Sequence, residues 1–402
     1  MAAPLCDRLI GAALAAAPRA SDVLFVPGRP VQALVDGGLI ALTGPETPSA
    51  LTVDATQELA RELMADEARL IADLATRGSC DLSYRHPDGA RFRVNIFRAL
   101  RTLRLVLRRL PDTPPALESL GLPPVVGKLA GLADGLVLVV GATGSGKSTT
   151  LAALLARILD TRPIHAVTLE DPVEFLQAPR LGLISQRERG TDFPEFAEGL
   201  RAALRQAPQV LLVGETRDRE TVDTALAAAE TGHLVLATAH TDDCAGAVTR
   251  LLAFFGPNEQ ELARSRLAGC LRAVVAQRLL PKPGGGRVAA CEVLLATLRM
   301  RQRIAAGETA SLGFHDILEQ GAAHGMVTFD ASIARLFAAG QVDEATALAR
   351  ATDRSATARA LDTVKAGRGQ AISDITGLTL EGEEPPAARR GAASPGPLRR
   401  GE

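Results

Sequence analysis

A glycine-rich run, GATGSGKS, has residue types and spacing suited to holding phosphate groups. It follows an apolar run, GLVLVV, that is typical of a buried strand, and it precedes a helix-favouring run, STTLAALLARIL. In such a loop the backbone N–H groups surround phosphate oxygens, Lys147 neutralises the β and γ phosphates, and Ser148 offers a hydroxyl to magnesium. An incidental glycine-rich turn would not need both flanking elements. The predicted nucleotide-binding residues are Gly141, Ala142, Thr143, Gly144, Ser145, Gly146, Lys147, Ser148 and Thr149.

A cluster of acidic residues follows the next predicted strand, in the run TLEDPVEF. Glu170, Asp171 and Glu174 lie within five positions, and Pro172 forces the chain out of the strand. Carboxylates at this place could organise water around Mg²⁺ and polarise the water that attacks a phosphate. The alternative interpretation is a solvated acidic turn or a helix N-cap.

The run QVLLVGETRD, residues 209–218, ends a third strand in an unusual way. P-loop ATPases commonly place an aspartate at the end of this strand to hold the magnesium shell. Here that position is Gly214, and the acid, Glu215, comes one residue later. Glu215 could reach a magnesium-bound water or the γ-phosphate, or it could be a surface residue paired with Arg217 or Arg219. We interpret the acidic charge as divided between two strands.

Two further groups of residues are weaker candidates. In TGHLVLATAHT, His240 follows a strand and could sense the γ-phosphate, whereas His233 precedes the strand and is more readily structural. A basic ribbon before the first proline-rich stretch could supply arginine to the transition state, although most of it should be a solvated strand face. The ribbon contains Arg91, Arg93, Arg98, Arg101, Arg104, Arg108 and Arg109.

The elements that must position these residues fall into four segments. Residues 1–111 predict a small α/β domain with an amphipathic first helix, short strands and one long helix. Residues 112–124 are a proline-rich linker. Residues 125–365 alternate apolar strands with helices, which indicates a mainly parallel sheet that binds ligands at the C-terminal ends of its strands. Residues 366–402 form a tail that we expect to be disordered from about 382.

Within the third segment, residues from 257 onward predict helices that pack as a bundle against the sheet. The run PNEQELARSRLAGCLRAVVAQRLL is the longest amphipathic example.

Composition limits the classes of function. A formal net charge of −1 gives no overall attraction to nucleic acid or to an anionic membrane surface. Five widely spaced cysteines without a CxxC pair indicate neither a disulfide framework nor a zinc knuckle. No apolar run approaches the roughly 20 residues that span a bilayer. We therefore expect a cytoplasmic protein that reaches a membrane only through partners.

Together the motifs resemble those of the PilT-type ATPases, the pilus-retraction motors of the type II and type IV secretion ATPase superfamily, from about position 20 to 350. The resemblance implies an α/β fold, in which a RecA-like P-loop ATPase domain with a mainly parallel sheet follows a smaller PAS-like α+β domain. It also implies a homo-hexameric ring that uses ATP and Mg²⁺. The matching blocks are ARFRVNIF, GLVLVVGATGSGKSTTLAALL, TLEDPVEF, LLVGETRDRETVDTALAAAETGHLVLATAHT, GGGRVAACEVLLAT and GFHDILEQGAAHGMVTFD.

The resemblance also implies a role for each candidate residue. Glu174 and Glu215 match the catalytic carboxylates, and His240 matches the phosphate sensor. Arg93 and Arg108 match two arginines that reach the nucleotide in the family. The residues expected to support magnesium are Ser148, Glu170, Asp171 and Glu215.

The absence of paired CxxC motifs favours the retraction branch, whose partners include an inner-membrane pilus platform protein. A paralogous retraction ATPase is a further candidate partner, and nucleic acid is not expected. One segment departs from this branch: RMRQRIAA, residues 299–306, keeps little of the family's AIRNLIRE helix beyond Arg301 and Ile304. The alternatives are a motor for pilus assembly, secretion or DNA uptake, an accessory ATPase of the PilU kind, or a subunit that hydrolyses little ATP.

Overall fold

Two β-sheets, each with its own hydrophobic core, are described by this computed structural model, which covers residues 3–44, 47–307 and 313–370. The elements of the N-terminal part are α1 (Leu5–Ala16), β1 (Asp22–Phe25), β2 (Gln32–Val35), β3 (Gly38–Ala41), α2 (Val53–Met64), α3 (Ala68–Thr76), β4 (Ser79–Arg85), β5 (Arg91–Ala99) and β6 (Thr102–Leu110).

The N-terminal sheet has six antiparallel strands in the order β3-β2-β1-β6-β5-β4. Alternation along β5 sends Phe92, Val94 and Ile96 into the core, so Arg91 and Arg93 point to the opposite face. This face carries the arginines that concern the site.

The amphipathic first helix is present as α1, but two shorter helices, α2 and α3, replace the single long helix predicted for this part. The prediction was wrong because Ala65 and Asp66 adopt left-handed backbone angles, with φ of 47° and 58°, which end α2 and turn the chain before α3 begins. Helical periodicity continues across this break in the sequence, so it did not reveal the turn.

The second sheet contains seven strands in the order β13-β12-β7-β11-β10-β8-β9. Six of them are parallel, and the edge strand β13 is antiparallel. The predicted α/β fold with a mainly parallel sheet is therefore confirmed. The elements are α4 (Pro124–Lys128), β7 (Gly135–Val140), α5 (Lys147–Thr161), β8 (His165–Glu170), β9 (Leu183–Glu188), α6 (Phe196–Ala203), β10 (Val210–Val213), α7 (Arg219–Glu230), β11 (Leu234–Ala239), α8 (Cys244–Ala253), α9 (Gln260–Cys270), β12 (Leu271–Pro281) and β13 (Arg287–Leu295).

Helices cover both faces of this sheet, which is why its central strands β7, β10 and β11 are buried at every position. Along β7, Leu136, Leu138 and Val140 join the core on one face, and Val137 and Val139 join the core on the other. The sheet is thus fixed from both sides, and its C-terminal edge becomes a rigid base for a site.

The run PNEQELARSRLAGCLRAVVAQRLL is helical only in its first half. The chain leaves α9 at Cys270 and continues as β12, so the predicted helix bundle beyond 257 was wrong over β12 and β13. A strand buried on both faces gives a nearly continuous apolar run, and periodicity alone does not distinguish it from a buried helix. Helices resume as α10 (Leu298–Ala306), α11 (Phe314–Gln320), α12 (Phe329–Ala338), α13 (Glu344–Arg350) and α14 (Arg354–Gly367).

Within the described ranges, no helix combines the length and apolar character needed to cross a membrane. All five cysteines are buried and unpaired by disulfides. The tail predicted to be disordered from about 382 lies outside the described residues.

Candidate functional site

A cleft of about 1170 Å³ lies between the two sheets, at the C-terminal ends of the parallel strands. Its floor is the glycine-rich loop between β7 and α5, and the N-terminal sheet contributes its opposite wall. Five residues predicted for the site from their positions after strands or in the basic ribbon line it, namely Asp171, Glu174, Glu215, His240 and Arg93.

The glycine-rich loop is tightly folded around the lysine side chain. Lys147 Nζ donates hydrogen bonds to the carbonyl oxygens of Gly141 at 2.8 Å and Ala142 at 3.0 Å. Burial lowers the pKa of Lys147, and the nearby carboxylates of Glu215 and Glu174 oppose this shift. Gly141 has φ of 147°, and a Cβ there would lie 2.5 Å from a neighbouring backbone carbonyl oxygen, so only glycine fits. The loop places a cation where phosphates bind at a helix N-terminus.

The acidic cluster after β8 divides into residues that face the cleft and one that does not. The Ser148 hydroxyl donates a hydrogen bond of 3.1 Å to Glu174 Oε1. Asp171 accepts a hydrogen bond of 3.1 Å from Arg189 at the rim of the cleft. Glu170 instead accepts hydrogen bonds from Thr168 at 2.7 Å and from Gln186 at 3.2 Å.

Glu170 lines a small adjoining cavity of about 70 Å³ rather than the main cleft. Burial raises its pKa to about 7. Ser148, Glu174 and Glu215 line the same small cavity, so the support of magnesium by Glu170 stays a prediction.

The missing aspartate at the end of β10 has a steric cause. A Cβ on Gly214 would lie 2.9 Å from Leu169 O and 3.3 Å from Glu170 Cα, since β8 and β10 are neighbours. The Gly214 N–H donates to the same Leu169 carbonyl at 2.8 Å. A side chain has no room at position 214, so the acid of this strand follows at Glu215.

Glu215 meets the residue that follows the adjacent strand β11. His240 Nε2 lies 2.7 Å from Glu215 Oε1, and Arg217 Nε lies 2.5 Å from the same oxygen. Neither contact is aligned as a hydrogen bond, and among the described residues this buried oxygen has no hydrogen-bond donor. It lies between the His240 ring and the Arg217 guanidinium in the wall of the cleft.

His233 is structural, as its position before β11 indicated. Its Nδ1 lies 3.0 Å from Ala228 O and 3.3 Å from Thr231 Oγ1, which ties the end of α7 to the following strand.

The two arginines of the basic ribbon occupy different environments in this chain. Arg93 and Arg108 are direct partners in the register of β5 and β6. Arg93 lines the cleft, with its Nε 3.8 Å from Asp81 Oδ1. Arg108 donates a hydrogen bond of 2.8 Å to Asp22, which is buried. The structure thus brings Arg93, and not Arg108, to the cleft of the same chain.

Sequence reasoning missed several basic residues around the cleft. Arg189 donates to Asp171 and, at 2.8 and 2.9 Å, to both carboxylate oxygens of Glu195. It comes directly after β9, so the rule that parallel strands end at one edge could have found it. Arg69 and Arg77 reach the cleft from α3, and their position depends on how the two sheets pack, which no local pattern reveals.

The donor set suits magnesium held together with nucleotide phosphates. Among the residues described, no three His, Cys, Asp or Glu side chains form a metal cluster by themselves. The Ser148 hydroxyl and the carboxylates of Glu174 and Glu215 are all hard oxygen donors beside the phosphate loop. Mg²⁺ prefers such oxygens, keeps several waters and is commonly completed by substrate phosphates.

Comparison with known proteins gives one family. The profile of the family described as "Type II/IV secretion system protein" matches residues 51–368. The type IV pilus retraction ATPase PilT of Pseudomonas aeruginosa is 38% identical over 339 residues, which cover 84% of this chain and 96% of that protein. The type IV pilus ATPase PilU of the same organism is 36% identical over 373 residues, covering 92% and 96%.

A solved structure agrees with these relatives. The crystal structure of the pilus retraction motor PilT with bound ADP superposes with a TM-score of 0.78 at 36% identity. The match covers 87% of this chain and 98% of that one.

Proposed function

Because the chain belongs to the type II/IV secretion system protein family, as its match over residues 51–368 shows, we propose that it is a Mg²⁺-dependent motor that retracts a type IV pilus. The predicted resemblance to PilT-type ATPases is confirmed by relatives and by fold. The chain is an ATPase of this family. The observation that carries the proposal is the convergence of the Lys147 loop, the Ser148–Glu174 pair and the Glu215–His240 pair on one cleft.

In the proposed reaction, water attacks the γ-phosphorus of ATP, and ADP leaves. The loop N–H groups and Lys147 hold the phosphates, and the hydroxyl of Ser148 would ligate Mg²⁺, with Asp171 in support. Magnesium, when bound, neutralises charge on the phosphate oxygens. Glu215 and Glu174 orient and polarise the water. His240 contacts Glu215 and can report the state of the γ-phosphate.

The N-terminal sheet gives the motor its moving part. Arg93 enters the cleft from a sheet with a separate core, so charge that develops on the phosphates favours closure of the two sheets. Repeated around a homo-hexameric ring, this closure would convert hydrolysis into movement. The ring would act at the cytoplasmic face of the inner membrane, on a pilus platform protein.

A second candidate function is that of an accessory motor beside a paralogous retraction ATPase. The similarity to PilU extends over 92% of the chain, and α10 carries a surface unlike the AIRNLIRE helix. Its buried positions, Met300 and Ile304, are apolar and keep the helix packed, whereas Arg299 and Gln302 are exposed. A different client or partner protein would therefore bind at this altered surface of α10.

Two measurements test these proposals. Purified protein should hydrolyse ATP, and Lys147→Ala should abolish this hydrolysis while the protein keeps its melting temperature. Deletion of the gene should leave cells heavily piliated but unable to retract their pili. Bald or export-deficient cells would indicate an assembly or secretion motor instead. Loss of retraction that appears only when a paralogue is also deleted would indicate the accessory role.

A further inference from the structure

A buried arginine joins the N-terminal sheet to the acidic loop of the ATPase sheet. Arg91, the first residue of β5, is 8% exposed. Its Nη1 donates a hydrogen bond of 3.3 Å to the carbonyl oxygen of Glu174, and its Nη2 donates to the carbonyl oxygen of Val173. The contact therefore holds the backbone of Glu174, whereas Arg93, two residues later on the same face, lines the cleft.

The charge around this contact explains why a buried cation is tolerated. Burial lowers the pKa of Arg91, and the carboxylates of Glu188, Glu170 and Asp112 oppose the shift. Glu188 also accepts a hydrogen bond of 3.1 Å from the N–H of Val173. The segment is thus held by a carboxylate through its N–H and by a guanidinium through its carbonyls.

A second contact holds the same region from its other flank. The Arg69 guanidinium of α3 lies against Gly190, where a Cβ would be 3.0 Å from Arg69 Cζ. Gly190 has φ of 84° and follows β9, the strand next to β8. Two arginines of the N-terminal part, Arg91 of β5 and Arg69 of α3, therefore contact the segments after β8 and β9.

The Arg91 contact also bears on the position of the Glu174 side chain. The backbone that Arg91 holds carries Glu174, whose carboxylate accepts the Ser148 hydroxyl at 3.1 Å. A continuous path of hydrogen bonds runs from β5 through the acidic loop to the first turn of α5. The contact between the two sheets therefore reaches the residue that carries the Glu174 carboxylate.

We propose that Arg91 is a positioning residue, which aligns Glu174 for hydrolysis when the N-terminal sheet is seated against the acidic loop. The inference rests on the proposed ATPase function of this site. The two arginines of β5 then have different tasks. Arg93 faces the cleft, and Arg91 acts through the backbone of Glu174.

The test is a double-mutant cycle on kcat, with Arg91→Gln made in the wild type and in a Glu174→Gln background. In the wild type the substitution should lower kcat at least about 10-fold and change KM and the Kd of a fluorescent ADP analogue less than about 2-fold. In the Glu174→Gln background it should lower the residual kcat less than about 2-fold, because the group it aligns is gone. Arg98→Gln, on the opposite face of β5, is the matched control and should leave kcat unchanged.

Melting temperatures distinguish positioning from folding. If Arg91→Gln does not fold, the same double-mutant cycle is measured with Arg91→Lys. Equal reductions of kcat in both backgrounds, an unchanged kcat, or failure of both variants to fold would overturn the inference and leave Arg91 a structural residue. Absence of turnover in the wild type would instead overturn the proposed function itself.

Discussion

The Ser148 hydroxyl donates a hydrogen bond of 3.1 Å to Glu174, which joins the first turn of α5 to the loop after β8. In the sheet, β11 and β10 lie between β7, which leads into the phosphate loop, and β8, which leads into the acidic loop. The contact therefore spans the C-terminal edge of the sheet. It holds an oxygen atom from each of the two segments within hydrogen-bond distance beside the glycine-rich loop.

Removal of the Ser148 hydroxyl should weaken the response to magnesium. Ser148→Ala should raise the Mg²⁺ concentration that gives half-maximal ATPase activity by about 10-fold, because one oxygen ligand and its tie to Glu174 are both lost. A magnesium titration of steady-state turnover measures this effect. Ser148→Thr keeps a hydroxyl and should restore the wild-type curve, and coincident curves for Ala and wild type would contradict the assignment.

Restoring the usual acid to the end of β10 should damage the fold. Gly214→Asp should reduce the free energy of unfolding by about 2 kcal/mol, because its Cβ would meet Leu169 O at 2.9 Å. Urea unfolding followed by circular dichroism measures the change. Gly131→Asp is the matched control, since nothing lies within 4 Å of a Cβ at that position. Equal losses in the two variants would show that the steric explanation is wrong.

The position of Glu215 shows which parts of the site could be predicted from the sequence alone. The glycine-rich loop, the acidic run and Glu215 were recognisable because each is local and each follows a strand of one parallel sheet. The reason for Gly214 was not recognisable, since it lies in the carbonyl of Leu169 on a neighbouring strand. Glu170 is predicted to support magnesium because it follows the same strand, and no local pattern revealed the hydrogen bonds that its side chain accepts from Thr168 and Gln186.

Arg93 and Arg108 should respond differently to substitution. Arg93→Ala should lower kcat at least about 100-fold with little change in stability, because its guanidinium lines the cleft. Arg108→Ala should destabilise the protein by about 1 kcal/mol, because it leaves the buried Asp22 carboxylate with only the Ser21 hydroxyl. Turnover and urea unfolding are measured for both variants.

Restoring stability tests the second half of this prediction. Adding Asp22→Asn to Arg108→Ala removes the unpaired charge and should recover most of the lost stability. If the double variant is stable but inactive, Arg108 also acts on a nucleotide, which in a ring would be that of a neighbouring chain. Normal turnover of Arg93→Ala would contradict the assignment of Arg93.

A carboxyl remote from the cleft should make stability depend on pH. Burial raises the pKa of Glu292 from 4.5, against the hydrogen bond of 2.9 Å that it accepts from the Cys244 N–H. The folded state then holds a proton that the unfolded state has released. The contribution of Glu292 to the free energy of unfolding therefore falls as pH rises from 4.5 through the folded pKa. Glu292→Gln cannot ionise, and its stability should exceed that of the wild type more at pH 8 than at pH 4.5. Urea unfolding measures both proteins at both pH values. An equal difference in the free energy of unfolding at pH 4.5 and pH 8 would contradict this prediction.

The arginines at the junction mark the limit of sequence reasoning in this chain. Arg91 of β5 and Arg69 of α3 belong to the N-terminal part, and their contacts with the acidic loop and with Gly190, respectively, arise only when the two parts pack. The strand β12 was hidden for a related reason: burial on both faces removes the alternation that would reveal it. Local motifs are therefore predictable here, and contacts between sheets are not.

The central claim is that hydrolysis depends on acids divided between two strands, and single-turnover ATP hydrolysis tests it most directly. Glu215→Gln and Glu174→Gln should each bind a fluorescent ATP analogue with a Kd within about 3-fold of the wild type and hydrolyse ATP at least about 100-fold more slowly. Glu198→Gln, an exposed residue of α6, should match the wild type in both measurements. Wild-type hydrolysis rates in both Glu215→Gln and Glu174→Gln would contradict the account.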